Sequence, residues 1–150
     1  MISHKAIIAI RAILAVARHG AGRPIHIKKI SEVTGVSAKY LQVILIELKC
    51  AGLLQSTRGP QGGYQLARSA AEISFLDVIR VTDGSLALAP CFGLAKLRQC
   101  SGCYKREHCI IRKSLAPASG AAETALSLFH LKARAASAIS GAKFVSSDTQ

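Results

Sequence analysis

At 150 residues and 50% hydrophobic, the chain is long enough for one domain with a proper core plus an appendage, and too short for two full domains. A formal net charge of +12 and a pI near 10.0 favour a polyanionic partner over an acidic small substrate. No run approaches the roughly 18 to 20 apolar residues that span a bilayer, and Arg11 interrupts the apolar stretch Ala6 to Ala17 with no small-residue cleavage site behind it, so the expectation is a cytoplasmic protein with no membrane segment.

Ile7, Ile10, Leu14 and Ala17 recur at helical spacing and predict a first helix over 3–18, ended by Gly20 to Pro24. Ile27 to Val36 reads as a short helix closed by Gly35. Leu41, Ile44, Leu45 and Leu48 then take the i, i+3, i+4, i+7 spacing of a helix that buries one face. Ser37 stands at its N-cap and Gly52 beyond its end, so it should run over 38–50. Short helix, glycine turn and second helix form a helix-turn-helix signature, with an ordinary packed helical hairpin as the bland alternative.

Leu54-Gln55-Ser56-Thr57-Arg58 and Tyr64-Gln65-Leu66-Ala67-Arg68 are short β-compatible runs flanking Gly59-Pro60-Gln61-Gly62-Gly63, which predicts a hairpin with a glycine-rich tip. With that hairpin the unit becomes a winged helix, whose second helix enters the major groove while the hairpin tip follows the backbone or minor groove. Charge agrees. Residues 1–68 carry ten Lys and Arg against two acidic residues, whereas 69–150 carry ten against six.

Ser74-Phe75-Leu76-Asp77 fits a capping box and opens a helix that Gly84 closes. Residues 85–108 have no clear period and read as a loop. From Ile110 the chain turns Ala-, Leu- and Ser-rich, with Leu115, Ala122, Leu126, Phe129 and Ala133 on one approximate stripe, predicting a long helix over 110–140. Pro117 and Gly120 imply a kink or break in it, since an interior proline costs about 3 kcal/mol. Such a helix has no core of its own and is expected to bury its stripe against a second copy; folding back on its own domain is the alternative. Residues 141–150 read as a disordered tail.

Four of the five cysteines, Cys91, Cys100, Cys103 and Cys109, fall within nineteen residues with the spacing C-x8-C-x2-C-x5-C. In a reducing compartment such clustering points to metal or redox chemistry rather than a disulfide scaffold. Thiolates suit an iron-sulfur cluster or a zinc ion, and Lys96, Arg98, Lys105 and Arg106 would offset their charge. The C-x2-C pair could equally form a reversible disulfide. His108 alone of the histidines adjoins the cluster, as a ligand or as a solvated side chain. Cys50 stands apart, beside the apolar face of the second helix of the motif, and is expected to be a buried small hydrophobe.

These residues are similar to the winged-helix transcription regulators of the Rrf-two type, typified by IscR, NsrR and RirA. The resemblance rests on Ile30 to Leu41, Leu45 to Leu54 and above all Arg58 to Arg68, RGPQGGYQLAR, and extends over about residues 3–115. It implies a mainly α fold with a small β-hairpin: a winged helix-turn-helix domain over 1–84, a cysteine-rich sensor loop over 85–109 and a long C-terminal dimerisation helix over 110–140. It also implies a homodimer on double-stranded operator DNA, with a 2Fe–2S or 4Fe–4S cluster setting DNA affinity. By position, Ser37, Lys39, Tyr40 and Gln42 open the recognition helix, and Ser56, Arg58, Gly62, Gly63 and Tyr64 form the wing. Lys28, Lys39 and Arg58 would neutralise phosphates while Ser37 and Gln42 reach base edges.

The chain departs from that family in its cysteines. The common spacing is C-x5-C-x5-C, kept only by Cys103 and Cys109; Arg112 replaces a histidine ligand that some members carry, and no acidic residue precedes Glu32. Cys100 is then the simplest fourth ligand beside Cys91, Cys103 and Cys109. A zinc site or thiol-disulfide switch built from the same cysteines is the rival reading. An enzyme is not expected: the sequence has no paired carboxylates, triad or phosphate-binding loop, and no small-molecule substrate is implied.

Overall fold

The computed structural model describes residues 2–20, 22–86 and 109–132. Cys91, Cys100, Cys103, His108, the expected last turns of the dimerisation helix and the expected tail lie outside the described residues. The order of elements is α1 (His4–Gly20), α2 (Ile27–Thr34), α3 (Ala38–Cys50), β1 (Leu54–Thr57), β2 (Gly63–Leu66), α4 (Phe75–Asp83) and α5 (Ile110–Ser127). Among the described residues, no helix is long and apolar enough to cross a membrane.

The core gathers around α1, which packs on α2, α3, α4 and β2. Its buried face is Ala6, Ala9, Ala12, Ile13, Ala15 and Val16, with Ile8 beside them. The expected stripe differs: Ile7 is exposed, and Ile10, Leu14 and Ala17 are half-buried. The reason is steric. Alanines let four neighbours approach the α1 backbone closely, so the small face goes inward and the bulkier residues cover the seams. Leu41, Ile44, Leu45 and Leu48 of α3 are fully buried, as their spacing predicts. Cys50 is exposed rather than buried, because two residues past Leu48 the helix has turned it to the opposite side.

Local signals and structure agree at the helix ends. Gly35 caps α2 in the left-handed conformation, with φ of 70°, and donates to the Ser31 carbonyl. At α4, the Ser74 hydroxyl accepts from the Asp77 N–H at 3.2 Å, and the Asp77 carboxylate accepts from the Ser74 N–H at 2.9 Å, a complete capping box.

Two features of the C-terminal part differ from expectation. Of the kink or break expected at Pro117, the break is absent, since α5 continues through that residue. The carbonyl that loses its helical donor belongs to Lys113, on an exposed turn where solvent can satisfy it. The helix also stops at Ser127, and residues 128–132 return to the first domain. The Phe75 N–H donates to the Phe129 carbonyl at 2.9 Å, Leu131 N–H to Ile73 at 3.0 Å and Lys132 N–H to Ala70 at 3.0 Å. Leu131 is fully buried in the main core. Phe129 therefore lies outside the helix and not on its stripe.

Candidate nucleic-acid interface

The turn between α2 and α3 is fixed from both sides. The Ser31 hydroxyl donates to the Val36 carbonyl at 2.6 Å, and the Ser37 hydroxyl accepts from the Tyr40 N–H at 3.4 Å. Ser37 is thus the cap of α3 and remains exposed with a hydroxyl proton to donate. Beyond it Lys39, Tyr40 and Gln42 are all exposed, so the first turns of α3 present the residues expected there.

The wing is an antiparallel ladder with Leu54 opposite Leu66, Ser56 opposite Tyr64 and Thr57 opposite Gly63. It is bolted to the start of α2. Ile25 N–H donates to the Tyr64 carbonyl at 2.8 Å and Tyr64 N–H returns a bond to the Ile25 carbonyl at 2.9 Å. Gly62 closes the tip by donating to the Gly59 carbonyl at 2.9 Å. A Cβ on Gly62 would come within 3.0 Å of the Thr57, Arg58 and Gly59 backbone, and one on Gly63 within 3.0 Å of Ile25 and His26. The two glycines are therefore demanded by backbone packing, whatever else they touch. Ser56 and Arg58 are exposed on the wing, while Tyr64 is half-buried against the core.

Both carboxylates of the first 68 residues are engaged: Glu32 with Lys29 at 3.2 Å and Glu47 with Lys5 at 2.7 Å. Among the described residues, no carboxylate pairs with the exposed Lys28, Lys39 or Arg58. Lys28, Lys39 and Arg58 thus keep their positive charge unneutralised among the described residues, the condition for binding phosphates. Arg23 belongs to the same surface. It lines a cleft with His26, Pro60, Gln61 and Gly62 between the wing tip and the α1–α2 connection. Sequence reasoning missed it because its neighbours at the tip are nearly forty positions away and only the Ile25–Tyr64 bridge brings them together.

Of the four clustered cysteines, the structure describes Cys109, which is half-buried at the N-cap of α5 without a side-chain capping bond. Among the described residues there is no group of three or more metal-ligating side chains. Downstream, the Glu123 carboxylate accepts from the Arg80 guanidinium at 2.7 Å and from the Leu86 N–H at 3.2 Å. Chiefly through the Arg80 bond, its pKa is lowered.

Residues 2–136 match the family described as Rrf2, iron-dependent transcriptional regulator. A Rhodobacter capsulatus protein named as an rrf2-like HTH-type regulator is 32% identical over 119 residues, covering 77% of this chain and 79% of the relative. The HTH-type transcriptional regulator IscR of Vibrio atlanticus is 40% identical over 87 residues, covering 58% of this chain and 50% of that protein. The chain thus aligns with about half the length of that relative. The solved structure of T. potens IscR superposes with a TM-score of 0.72 at 28% identity, covering 95% of this chain and 93% of that one.

Proposed function

The chain belongs to the Rrf2 family of transcriptional regulators, a DNA-binding winged-helix family and not a family of enzymes, and on that premise we propose a cytoplasmic homodimer that binds operator DNA under the control of a cysteine-ligated iron-sulfur cluster. The observation that carries the DNA reading is that Lys28, Ser37, Lys39, Tyr40, Gln42, Ser56 and Arg58 are all exposed on α2, α3 and the wing, with no carboxylate among the described residues pairing with Lys28, Lys39 or Arg58. The apolar residues Ile110, Ile111, Leu128 and Phe129, exposed on and just beyond α5, support a second copy packed there.

The donor set fits an iron-sulfur cluster: four thiols within nineteen residues, one of them at a helix N-terminus. When bound, such a cluster supplies a charge and redox state that respond to iron, oxidants or nitric oxide. Cys91, Cys100, Cys103 and Cys109 would hold it. Cys109 is the N-cap residue of α5, so ligation of its sulfur would act at the first turn of that helix. Glu123 then connects α5 to Arg80 on α4, and α4 packs on α1 and α3. Displacement of α5 is thereby converted into a shift of the recognition helix and of half-site spacing.

Anaerobic purification followed by an absorption spectrum with iron, sulfide and zinc counts tests the sensor. Iron with equimolar sulfide and visible colour is expected, lost in Cys103→Ala. Zinc without colour would transfer the cysteines to the structural-metal or thiol-switch reading, and full iron and sulfide in the variant would remove Cys103 from the ligand set.

A further inference from the structure

The side of α3 that faces away from the core is not uniformly polar. Opposite the buried Leu41, Ile44, Leu45 and Leu48 runs one line at i, i+4, i+7 and i+11: Lys39, Val43, Ile46 and Cys50. Its middle is an apolar ridge. Val43 is 52% and Ile46 46% exposed, large values for branched aliphatic side chains adjacent on one helix face. Gln42 and Lys49 flank it on one side and Tyr40 on the other, all exposed. The single carboxylate of α3, Glu47, is turned away and paired with Lys5 on α1.

Two exposed β-branched residues at the centre of a basic surface match an occupant that is polyanionic at the rim and carries apolar groups at the centre. A second copy of the chain fails this, because it would bring Lys39 and Lys49, which no carboxylate pairs among the described residues, against their own copies. The major groove of DNA satisfies it, since its floor is apolar where thymine C5-methyl groups project and its walls are phosphate. We infer that Val43 and Ile46 are specificity-determining residues that read thymine methyl groups in each operator half-site. The inference rests on the DNA-binding reading of α3 and adds the base class that this helix selects. Val43 and Ile46 stand about 4.5 Å apart along the helix axis, comparable to the roughly 3.4 Å rise between base pairs. The two methyl groups therefore lie on neighbouring or next-neighbouring base pairs, with Gln42 and Lys39 left for polar edges and phosphates.

The test selects bound sites from random duplex DNA with the full chain, then replaces each half-site thymine in turn by deoxyuridine, which differs only by the methyl group. Removing a contacted methyl should weaken binding roughly four-fold, the value of burying one such group, at one or two positions per half-site. That dependence should vanish at one position in Val43→Ala and at the other in Ile46→Ala, with Val43→Thr, equal in shape but polar, as a second variant at the first. Both side chains are exposed, so the variants should fold as the parent does. Specific binding with no methyl-sensitive position overturns the inference. So does methyl sensitivity that persists unchanged in the variants, or a change confined to self-association. Absence of any sequence preference would instead sink the DNA-reader assignment, and this inference with it.

Discussion

Glu123 on α5 receives the Arg80 guanidinium at 2.7 Å on one carboxylate oxygen and the Leu86 N–H at 3.2 Å on the other. One side chain thus ties α4, the residue from which the chain departs toward Cys91, and the helix that begins after Cys109. The Arg80 bond is the main cause of its lowered pKa, so the ionised carboxylate is the form the folded chain stabilises. Its contribution is complete above the ordinary value of 4.5 and fades as pH falls through the lower folded value. Arg80 is half exposed, which limits the pair to about 1 kcal/mol or less. Glu123→Gln should therefore be slightly less stable than the parent in urea at pH 7, and the gap should narrow as pH falls below 4.5. A gap that is constant or widens on acidification would show that the carboxylate charge is not what the contact uses.

Leu131 is fully buried among residues of α1, α3 and the Ile73 turn, although it follows α5. The first domain is thus completed by a segment that arrives after the cysteine stretch. Leu131→Ala should cost about 2–5 kcal/mol, the range for a buried leucine whose cavity only partly closes. A chain ending at Ser127 should lose at least as much, because three backbone hydrogen bonds to Phe75, Ile73 and Ala70 go with it. Urea unfolding followed by circular dichroism measures both; a loss below about 1 kcal/mol for Leu131→Ala would mean that the winged helix is complete without the return.

The parts of this fold legible in the sequence are those where punctuation and periodicity coincide. Gly35, Ser37 and the Ser74–Asp77 pair sit at the ends of periodic runs, so α2, α3 and α4 fall within a residue or two of their expected limits. α1 was legible as a helix but not in its orientation, because a face of alanines carries little hydropathy contrast and its value lies in close approach. The end of α5 was not legible at all. The stripe continues to Phe129 on paper, whereas in the fold long-range pairing of residues 129–132 with residues 70–75, the Ser74–His130 bridge among them, takes the chain out of the helix after Ser127. For the candidate interface, the motif legible in the sequence puts Lys39, Gln42 and Arg58 on α3 and at the wing, and all three are exposed there. The exposed apolar pair Val43 and Ile46 is not signalled by the motif, because periodicity marks the buried face of α3 and says nothing of what an apolar residue does on the other.

Gly62 and Gly63 could serve the wing as close backbone approaches to DNA or as internal packing. The structure supplies the second reason independently of the first, since Cβ atoms there would collide with the Thr57–Gly59 and Ile25–His26 backbone. Gly63→Ala should accordingly lower stability by about 1–3 kcal/mol, and weaken all DNA binding by detaching β2 from Ile25. Thermal unfolding without DNA separates the two roles. An unchanged Tm with reduced affinity would assign Gly63 to the DNA contact itself.

Arg58 is the complementary case. It is exposed just beyond β1 and is paired with no carboxylate among the described residues. Arg58→Ala should therefore leave stability within about 0.5 kcal/mol of the parent, while weakening specific and non-specific DNA binding alike. If the guanidinium neutralises one phosphate, the slope of log K against log salt should become shallower by about 0.9. Fluorescence anisotropy over a salt series, with a selected site and a scrambled duplex, measures both quantities. Loss of affinity for the selected site alone would instead give Arg58 a base edge, and an unchanged slope with unchanged affinity would take the wing off the DNA.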